Sequence, residues 1–423
     1  MTLAITGGLI FLALAGTPLY AIIGALALIL FYLADIESAA VFIELYRVTS
    51  QPSLIAIPLF TFAGFLMAES GTPKRLTRLT EAFLGALPGG TPLVALVACG
   101  FFTAFTGASG VTIIALGGLL YPMLLREHYS RKFSLGLLTA SGSLGLLFPP
   151  SLPLILYGLI AQVNIDQLFL AGIIPGIFLI FLFFCYSFAM GRKLNIPINP
   201  FNRAEAWAAI KQARFEIPLP FLILWGIYGG WITVTEAAAV TVVYVLLVET
   251  VFYKDLHFIK DIPRIMKTSM VLVGSILIIL GTALGFTSYL VDEQVPMQIL
   301  EAMRTYIDDK ITFLIVLNIF LLIVGCLMDI FSAIIVVVPL IVPIAESFGV
   351  NTVHLGIIFL TNLEIGYMTP PVGINLFLSS SRFDEPVLKM YQASLPFLGL
   401  MLIGLMLITY FPELSLWLVH AFQ

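Results

Sequence analysis

The feature that most constrains this chain is a Gly/Pro signature that occurs twice within apolar sequence. The first copy is Gly145-Leu-Leu-Phe-Pro149-Pro150, and the second is Gly366-Tyr-Met-Thr-Pro370-Pro371. Each copy lies where a continuous membrane helix would be expected, yet paired prolines remove backbone donors and glycine removes rigidity. The signature therefore predicts two helices broken at depth in a bilayer, which is typical of the binding site of a secondary transporter.

The two copies are separated by 221 residues, and the same offset relates other special positions. It carries Gly64 to Gly285 and Pro122 to Pro343 without a gap. A shared offset across this many positions predicts an internal duplication, with one broken helix in each half.

Composition fixes the class of protein. Of the 423 residues, 60% are hydrophobic and only 10% are charged, which is too few charges for a soluble globule of this size. Long apolar runs bounded by polar stretches, without the alternation of a β-barrel, predict an all-α polytopic membrane protein whose main partner is the lipid bilayer. No basic stripe is present, so a nucleic-acid partner is not expected.

The positions of the cations predict the orientation of the two halves. Lys and Arg cluster at 74–78, 126–132, 192–214 and 254–267, and these segments are expected in the cytoplasm. The counterparts of the first two clusters differ, because 292–309 is acidic and 346–354 has no Lys or Arg. Equivalent segments on opposite faces predict two inverted repeats, related by a pseudo-two-fold axis in the membrane plane.

Each repeat is then expected to contain a re-entrant helical hairpin. Residues 91–125 lie between two cytoplasmic clusters, so this stretch must enter and return on one face, with its tip at Thr106–Gly110. By inversion, residues 312–347 form the second hairpin, with its tip at Met328–Ser332. The broken helices span 133–162 and 354–381, while 72–87 and 292–309 are interfacial arms.

These elements predict a scaffold and a transport domain, each assembled from both repeats. Residues 1–90 are expected to contain scaffold spans, with a weak first span at Ile5–Ala15, and the cytoplasmic arm. Residues 217–310 are expected to contain scaffold spans, in the apolar runs 217–232, 234–253 and 270–288, and the periplasmic arm. The two transport halves are 91–191 and 311–423, and residues 192–216 form a cytoplasmic loop.

Tips and breaks together could bind ions without a dedicated metal cluster. Half-helix ends present free amides to anions and free carbonyls to Na⁺. The neighbouring side chains are oxygen ligands suited to a hard cation: Ser109, Thr112, Ser141 and Ser143 in the first half, and Asp329, Ser332, Thr361, Asn362 and Thr369 in the second.

Two acids within apolar sequence have alternative interpretations. Asp329 is either a cation ligand at the second tip or a cap for the second helix of that hairpin. Glu364 is either functional or directed toward a partner subunit. Glu236, at the start of an apolar run, is better explained by helix N-terminal chemistry.

A different class of function is also open, because Gly107-Ala-Ser109-Gly is the G-x-S-G pattern of rhomboid-type intramembrane proteases. A serine nucleophile would need a base within hydrogen-bond reach. All four histidines lie at predicted segment ends or in loops. An intramembrane serine hydrolase using Ser109 is therefore the distant alternative.

Several spaced motifs resemble the large membrane subunit of tripartite ATP-independent periplasmic (TRAP) transporters. They are Ile57-Pro-Leu-Phe-Thr-Phe-Ala-Gly64, the Gly107 tip, Gly145 through Gly158, Thr235-Glu-Ala-Ala-Ala239, Gly325-Cys-Leu-Met-Asp329 and Thr369-Pro-Pro-Val-Gly373. The resemblance covers about Ile57 to Arg382 and implies an elevator-type membrane transporter subunit, not an enzyme, in a bacterial or archaeal cytoplasmic membrane.

The resemblance also implies Na⁺ as the coupling ion, a separate small four-helix membrane subunit and a soluble periplasmic substrate-binding protein. Substrates would be organic anions such as C4-dicarboxylates or sugar acids. The implied Na⁺ sites are Ser109, Gly110, Gly145 and Pro149 in the first half, and Met328, Asp329, Gly366, Thr369 and Pro370 in the second. Candidate substrate-binding residues at the same tips and breaks are Ser109, Thr112, Pro150, Ser151, Ser332 and Pro371. The nearest rival is a stand-alone divalent-anion/Na⁺ symporter of similar architecture.

Overall fold

All regular structure in the described part of the chain is helical. The computed structural model describes residues 17–34, 51–87, 89–194, 201–307 and 309–422, together with positions 37, 39, 43 and 46. Eight helices there are long and apolar enough to cross a membrane: Pro52–Glu69, Ser109–Arg126, Ile165–Lys193, Val234–Phe252, Asp261–Asp292, Lys310–Leu327, Ile330–Ser347 and Val387–Tyr410. The prediction of an all-α polytopic membrane protein is confirmed. The predicted first span at Ile5–Ala15 lies outside the described residues.

The first half contains the predicted sequence of elements. Its helices are α1 (Leu19–Leu33), α2 (Ala56–Glu69), α3 (Thr72–Leu84), α4 (Gly90–Thr106), α5 (Ser109–Arg126), α6 (Arg131–Ser141), α7 (Leu152–Ala161) and α8 (Ile165–Lys193). Short 3₁₀ turns precede α2 and follow α6, at Pro52–Ile55 and Leu144–Leu147. The axis bends by 44° between Arg131–Leu147 and Leu152–Ala161, which is the predicted break.

The second half follows after a connecting region. Its helices are α9 (Arg203–Gln212), α10 (Pro218–Tyr228), α11 (Val234–Leu247), α12 (Asp261–Asp292), α13 (Val295–Arg304), α14 (Lys310–Leu327), α15 (Ile330–Ser347), α16 (Thr352–Gly366), α17 (Ile374–Phe383), α18 (Val387–Tyr410) and α19 (Glu413–Ala421). A π-helical turn, Val248–Phe252, extends α11.

The offset of 221 residues survives in the helix boundaries. It carries both ends of α5 onto both ends of α15, and the start of α6 onto the start of α16. The caps correspond as well: Ser130 accepts a hydrogen bond from the Phe133 amide, and Asn351, its counterpart, accepts from the amides of Val353 and His354. Side-chain caps satisfy the orphan amides of a helix start, so the repeat fixes equivalent starting points.

Helix packing crosses between the repeats. α5 packs on α17, and α15 packs on α7, so the second helix of each hairpin contacts the far half of the other repeat's broken helix. Elsewhere α1 packs on α12, and α2 packs on both α11 and α12. The two hairpins and the two broken helices therefore form one continuous packed unit beside α1, α2, α11 and α12.

The predicted cytoplasmic arm is α3, and a buried arginine holds it in place. The Arg75 side chain is only 6% exposed and ion-pairs with Glu216, Glu249 and Asp255, with 2.7 Å between Nη2 and Glu249 Oε1. Its guanidinium also lies 3.8 Å from the centroid of the Tyr253 ring. Burial acts to lower the pKa of Arg75, but the three carboxylates outweigh burial and the net shift of the pKa is upward. Arg75 thus stays charged and joins α3 to the segments before α10 and after α11.

Three sequence expectations need correction in detail. The run 217–232 holds only the 11-residue helix α10, because the chain turns at Gly229–Gly230, where Gly230 has φ +69°. The run 270–288 is the interior of a 32-residue helix that begins at Asp261, so Arg264 and Lys267 of the predicted cytoplasmic cluster lie in helix α12. The predicted loop 192–216 contains helix α9, which Asn202 caps. Glu236 forms the expected capping box with Thr233.

Candidate functional site

The first hairpin tip consists of two residues between α4 and α5. Gly107 ends α4 with φ +64°, and its amide donates to the Thr103 carbonyl oxygen at 2.8 Å. A β-carbon there would collide with the Leu152 side chain at the start of α7. Glycine is therefore required both by the backbone conformation and by the close approach of α7. Ser109 then begins α5, so the observed turn lies within the predicted tip at Thr106–Gly110.

The second tip, Met328-Asp329, has the capping geometry that the sequence left as an alternative. Asp329 Oδ1 accepts hydrogen bonds from the amides of Phe331 at 3.0 Å and Ser332 at 3.1 Å, while Oδ2 accepts from the Ser332 hydroxyl. The Ile330 amide donates to the Tyr367 hydroxyl oxygen at 2.9 Å. The carboxylate is thus held at the tip by its own helix, and its orientation is fixed.

Both breaks contain a cis Pro–Pro bond, at Pro149–Pro150 and at Pro370–Pro371. The glycines before them pack against backbone. A β-carbon at Gly145 would meet the Gly100 carbonyl oxygen and Thr103, and one at Gly366 would meet the backbone of Gly325. Each signature glycine therefore lets its broken helix touch the first helix of its own hairpin.

Both tips face one cavity of about 590 Å³. The first tip contributes Gly107 to Gly110, and the second contributes Asp329 to Phe331. Leu146 and Tyr367, which belong to the two breaks, lie on its wall, and α12 closes one side with residues 268–279. The predicted convergence of two tips and two breaks is therefore present in this fold. No Lys or Arg lines this cavity within the described ranges.

The predicted site residues fall into three groups relative to this cavity. Ser109, Gly110 and Asp329 line it, and Met328 and Ser332 line an adjoining cavity of about 620 Å³ that Asp329 also borders. The rest line neither cavity: Thr112, Gly145, Pro149, Pro150, Ser151, Gly366, Thr369, Pro370 and Pro371. Thr112 is buried, with its hydroxyl 2.7 Å from that of Thr103, and Thr369 donates to the Ile365 carbonyl oxygen.

The two breaks differ in exposure although their sequences correspond. Pro149, Pro150 and Ser151 are buried, whereas Pro370 and Pro371 are exposed. Packing around the two breaks is therefore unequal, even though the helix boundaries repeat at the same offset.

Several residues that the sequence does not single out line this cavity or contact the first tip. Tyr367 lines the cavity, and Asn375 accepts the Ser109 hydroxyl at 2.7 Å between Oγ and Oδ1. Thr268 and Ser275 line the cavity from α12. A signal was available for that pair, because residues seven apart share a face of a helix. For Asn375 the sequence contains no comparable signal, apart from its position four residues after Pro371 in an apolar run.

Ser109 does not have the surroundings of a nucleophile. Its hydroxyl hydrogen is directed to the Asn375 amide oxygen, which is not a base. His354, the one buried histidine in the described ranges, lies in the first turn of α16 with Nε2 3.3 Å from the Thr409 carbonyl oxygen. A serine hydrolase requires a base on the serine, so this geometry gives the hydrolase alternative no support.

Glu364 does not face outward toward a partner. It is completely buried in α16, and neither carboxyl oxygen has a hydrogen-bond partner among the described residues. Of the two interpretations of Glu364, the partner-facing one is wrong, because α16 is enclosed by α14, α15, α8 and α18.

Comparison with known proteins gives a family match. A family model described as "Tripartite ATP-independent periplasmic transporter, DctM component" matches residues 6–414. The C4-dicarboxylate TRAP transporter large permease protein DctM of Vibrio cholerae is 34% identical over 428 residues, covering 96% of this chain and 94% of that protein. The isethionate TRAP transporter permease protein DctMQ of Oleidesulfovibrio alaskensis is 34% identical over 368 residues, covering 86% of this chain and 57% of that protein.

A solved structure shares the fold. The YdaH transporter of Alcanivorax borkumensis, described as having an unusual topology, superposes with a TM-score of 0.59 over 86% of this chain and 85% of that one. Sequence identity is 13%, so this likeness concerns the fold alone.

Proposed function

This chain belongs to the DctM family, the large membrane subunits of tripartite ATP-independent periplasmic transporters, and from that premise we propose that it performs Na⁺-coupled import of an organic anion. It is a multi-pass membrane transporter subunit, as the sequence resemblance indicated. The observation that carries the proposal is the single cavity bordered by both hairpin tips and both breaks.

Oxygen chemistry at the tips supports Na⁺ as the coupling ion. Ser109 and Asp329 supply a hydroxyl and a carboxylate at the cavity, and the chain ends of α4 and α14 leave carbonyls beside them. Hard cations prefer such oxygen ligands. The first Na⁺ site would use Ser109, Gly110, Gly145 and Pro149, and the second Met328, Asp329, Gly366, Thr369 and Pro370. Co-bound Na⁺ would supply the positive charge that the cavity lining lacks.

An anionic substrate fits the same arrangement. The first turns of α5 and α15 begin at the two tips, so their free amides present partial positive charge to the cavity. Two relatives bear the names of anionic solutes, a C4-dicarboxylate and isethionate. We propose a small carboxylate or related anion as substrate, contacted at the tips by Ser109 and Ser332, the two candidate residues that line the cavities.

Alternating access would follow from the pseudo-symmetry of the halves. If the repeats are inverted, the two breaks exchange environments when the transport unit moves past the scaffold. Unequal exposure of Pro149–Pro150 and Pro370–Pro371 is what either end state of such an elevator would present. In this proposal residues 91–191 and 311–423 move, and the spans in 1–90 and 217–310 form the scaffold.

Two partner proteins complete the proposed transporter, in the cytoplasmic (inner) membrane of a bacterium or archaeon. One is a small four-helix membrane subunit, and the other is a periplasmic binding protein that delivers substrate. The relative named DctMQ is matched over 57% of its length, so it has room for a fused subunit. Membership in the tripartite family favours this assembly over a stand-alone divalent-anion symporter.

Reconstitution tests the proposal directly. The chain and a small subunit would be placed in proteoliposomes, and uptake of labelled C4-dicarboxylates and sugar acids measured with and without candidate binding proteins. We expect uptake only with both an inward Na⁺ gradient and a binding protein. Uptake that ignores the binding protein would instead establish the stand-alone symporter, and uptake that persists when K⁺ replaces Na⁺ would reject Na⁺ coupling.

Asp329→Asn tests the ion site at the second tip. Asparagine caps a helix as well as aspartate does, so folding should be retained while the negative charge is lost. We expect the Na⁺ concentration for half-maximal uptake to rise about tenfold, equivalent to about 1.4 kcal/mol. Asp309→Asn is the matched control, because Asp309 caps α14 of the same hairpin but is exposed. Identical Na⁺ activation curves for the Asp329 variant and wild type would remove Asp329 from the site.

A further inference from the structure

A hydrogen bond joins the first hairpin tip to the opposite repeat. Ser109 Oγ donates to Asn375 Oδ1 at 2.7 Å, although the two residues are 266 positions apart. Asn375 is the second residue of α17 and is completely buried. The tip of the first repeat is therefore connected to the element that immediately follows the second break.

The direction of this hydrogen bond matters for cation binding. A hydroxyl oxygen coordinates a cation through its lone pairs, so its hydrogen must point away from the ion and toward an acceptor. Asn375 Oδ1 accepts that hydrogen. The lone pairs of Ser109 are thereby left available on the side of the cavity that Ser109 lines.

Asn375 is itself held from the second break. Its backbone amide donates to the Tyr367 carbonyl oxygen at 3.1 Å. The Tyr367 hydroxyl in turn accepts from the Ile330 amide at 2.9 Å, in the first turn after the second tip. A continuous path of contacts thus runs from Ser109 through Asn375 and Tyr367 to Ile330, linking the two tips.

We propose that Asn375 is a positioning residue for the coupling ion: it orients the Ser109 hydroxyl for Na⁺ binding and ties the first tip to the second break. This inference rests on the proposed Na⁺ coupling and extends it to a residue of the other repeat. The first ion site is complete only while the α5 tip lies against α17, so contact between the repeats is a condition of ion binding. Groups that orient a metal ligand in this way strongly influence metal affinity.

Asn375→Leu is the test variant, because leucine has a similar volume and no acceptor. We expect the Na⁺ concentration for half-maximal uptake to rise about ten- to hundredfold, as is usual when the partner of a metal ligand is lost. Purified protein should also lose most of the thermal stabilisation that Na⁺, compared with K⁺, gives to wild type, and this readout requires no transport.

Thr139→Val is the matched structural control. The Thr139 and Ser379 hydroxyls are hydrogen-bonded at 2.9 Å, so this bond also joins the first repeat to α17 in a buried environment. Valine removes the bond with little change of shape. If loss of a bond between repeats were sufficient to weaken Na⁺ binding, both variants would behave alike, and the inference would be overturned. We expect the Thr139 variant to retain the wild-type Na⁺ response.

A double-mutant cycle with Ser109→Ala separates positioning from general damage. If Asn375 acts through Ser109, adding Asn375→Leu to Ser109→Ala should change Na⁺ affinity no further. Additive losses would overturn the inference. Asn375→Asp keeps an acceptor at this position, so it should retain the wild-type Na⁺ response. This variant tests the inference even if Asn375→Leu folds poorly. A wild-type protein with no Na⁺ response would reject Na⁺ coupling itself, whereas a wild-type response retained by Asn375→Leu rejects the role of Asn375 alone.

Discussion

Substituting Gly366 with alanine should abolish uptake and lower the unfolding temperature of the purified protein. Gly366 is the last residue of α16, and a β-carbon there would overlap the Cα, carbonyl carbon and oxygen of Gly325 in α14. Those atoms belong to a helix backbone, so they cannot rotate away as a flexible side chain would. Overpacking a tight contact costs about 1–3 kcal/mol and more where backbone must move. The substitution would separate the second broken helix from its hairpin.

Gly399→Ala provides the control for this effect. Gly399 lies inside α18, and a β-carbon there would meet nothing within 4 Å. Alanine is favoured over glycine inside a helix by about 1 kcal/mol, so this variant should be slightly more stable than wild type. In Gly366→Ala the backbone carbonyl of residue 366 is still present. A loss of uptake in this variant would therefore reflect lost packing and not the loss of a Na⁺ ligand. Wild-type unfolding temperature and uptake in Gly366→Ala would show that the close approach to Gly325 is dispensable.

Features with a local chemical cause could be predicted from the sequence. Small residues at Thr106–Gly110 indicate a tight tip, and the Pro pairs remove backbone donors that a continuous helix requires. Because the offset of 221 residues relates the two halves, each prediction for the first half also applies to the equivalent positions of the second. For this reason the sequence predicts both tips and both breaks within three residues of their observed limits.

Contacts between distant segments left no such pattern. Ser109 and Asn375 are 266 residues apart, and an asparagine in an apolar run has no partner that spacing could reveal. The cation cluster 74–78 predicts a charged interfacial arm, but it does not disclose that Glu216 and Glu249 converge on Arg75 from 141 and 174 residues away. Exposure of the two breaks was equally hidden, since matching sequences cannot predict unequal packing.

Arg75→Met should produce the largest loss of stability outside the transport site. Methionine retains much of the apolar stem but removes the charge that Glu216 and Glu249 share, and both side chains are at most 3% exposed. Removing one partner from a buried ion pair costs about 3–5 kcal/mol, because the remaining charge stays in a medium of low dielectric constant. Tyr253 also loses the guanidinium stacked on its ring. We expect the free energy of unfolding in mixed micelles to fall by that amount.

Arg78→Met, one helical turn away on α3, separates burial from charge. The Arg78 and Glu205 side chains pair at 2.7 Å but are 43% and 45% exposed, and exposed pairs contribute about 0–1 kcal/mol. Adding Glu249→Gln to Arg75→Met removes one of the uncompensated charges and should recover part of the loss. Equal effects of the two arginine substitutions would mean that α3 is held by its apolar face alone. A large difference between the two arginine variants, with recovery in the double variant, would mean that the ion pairs of Arg75 with the surrounding carboxylates anchor the arm. Without Arg75, these carboxylates would repel one another.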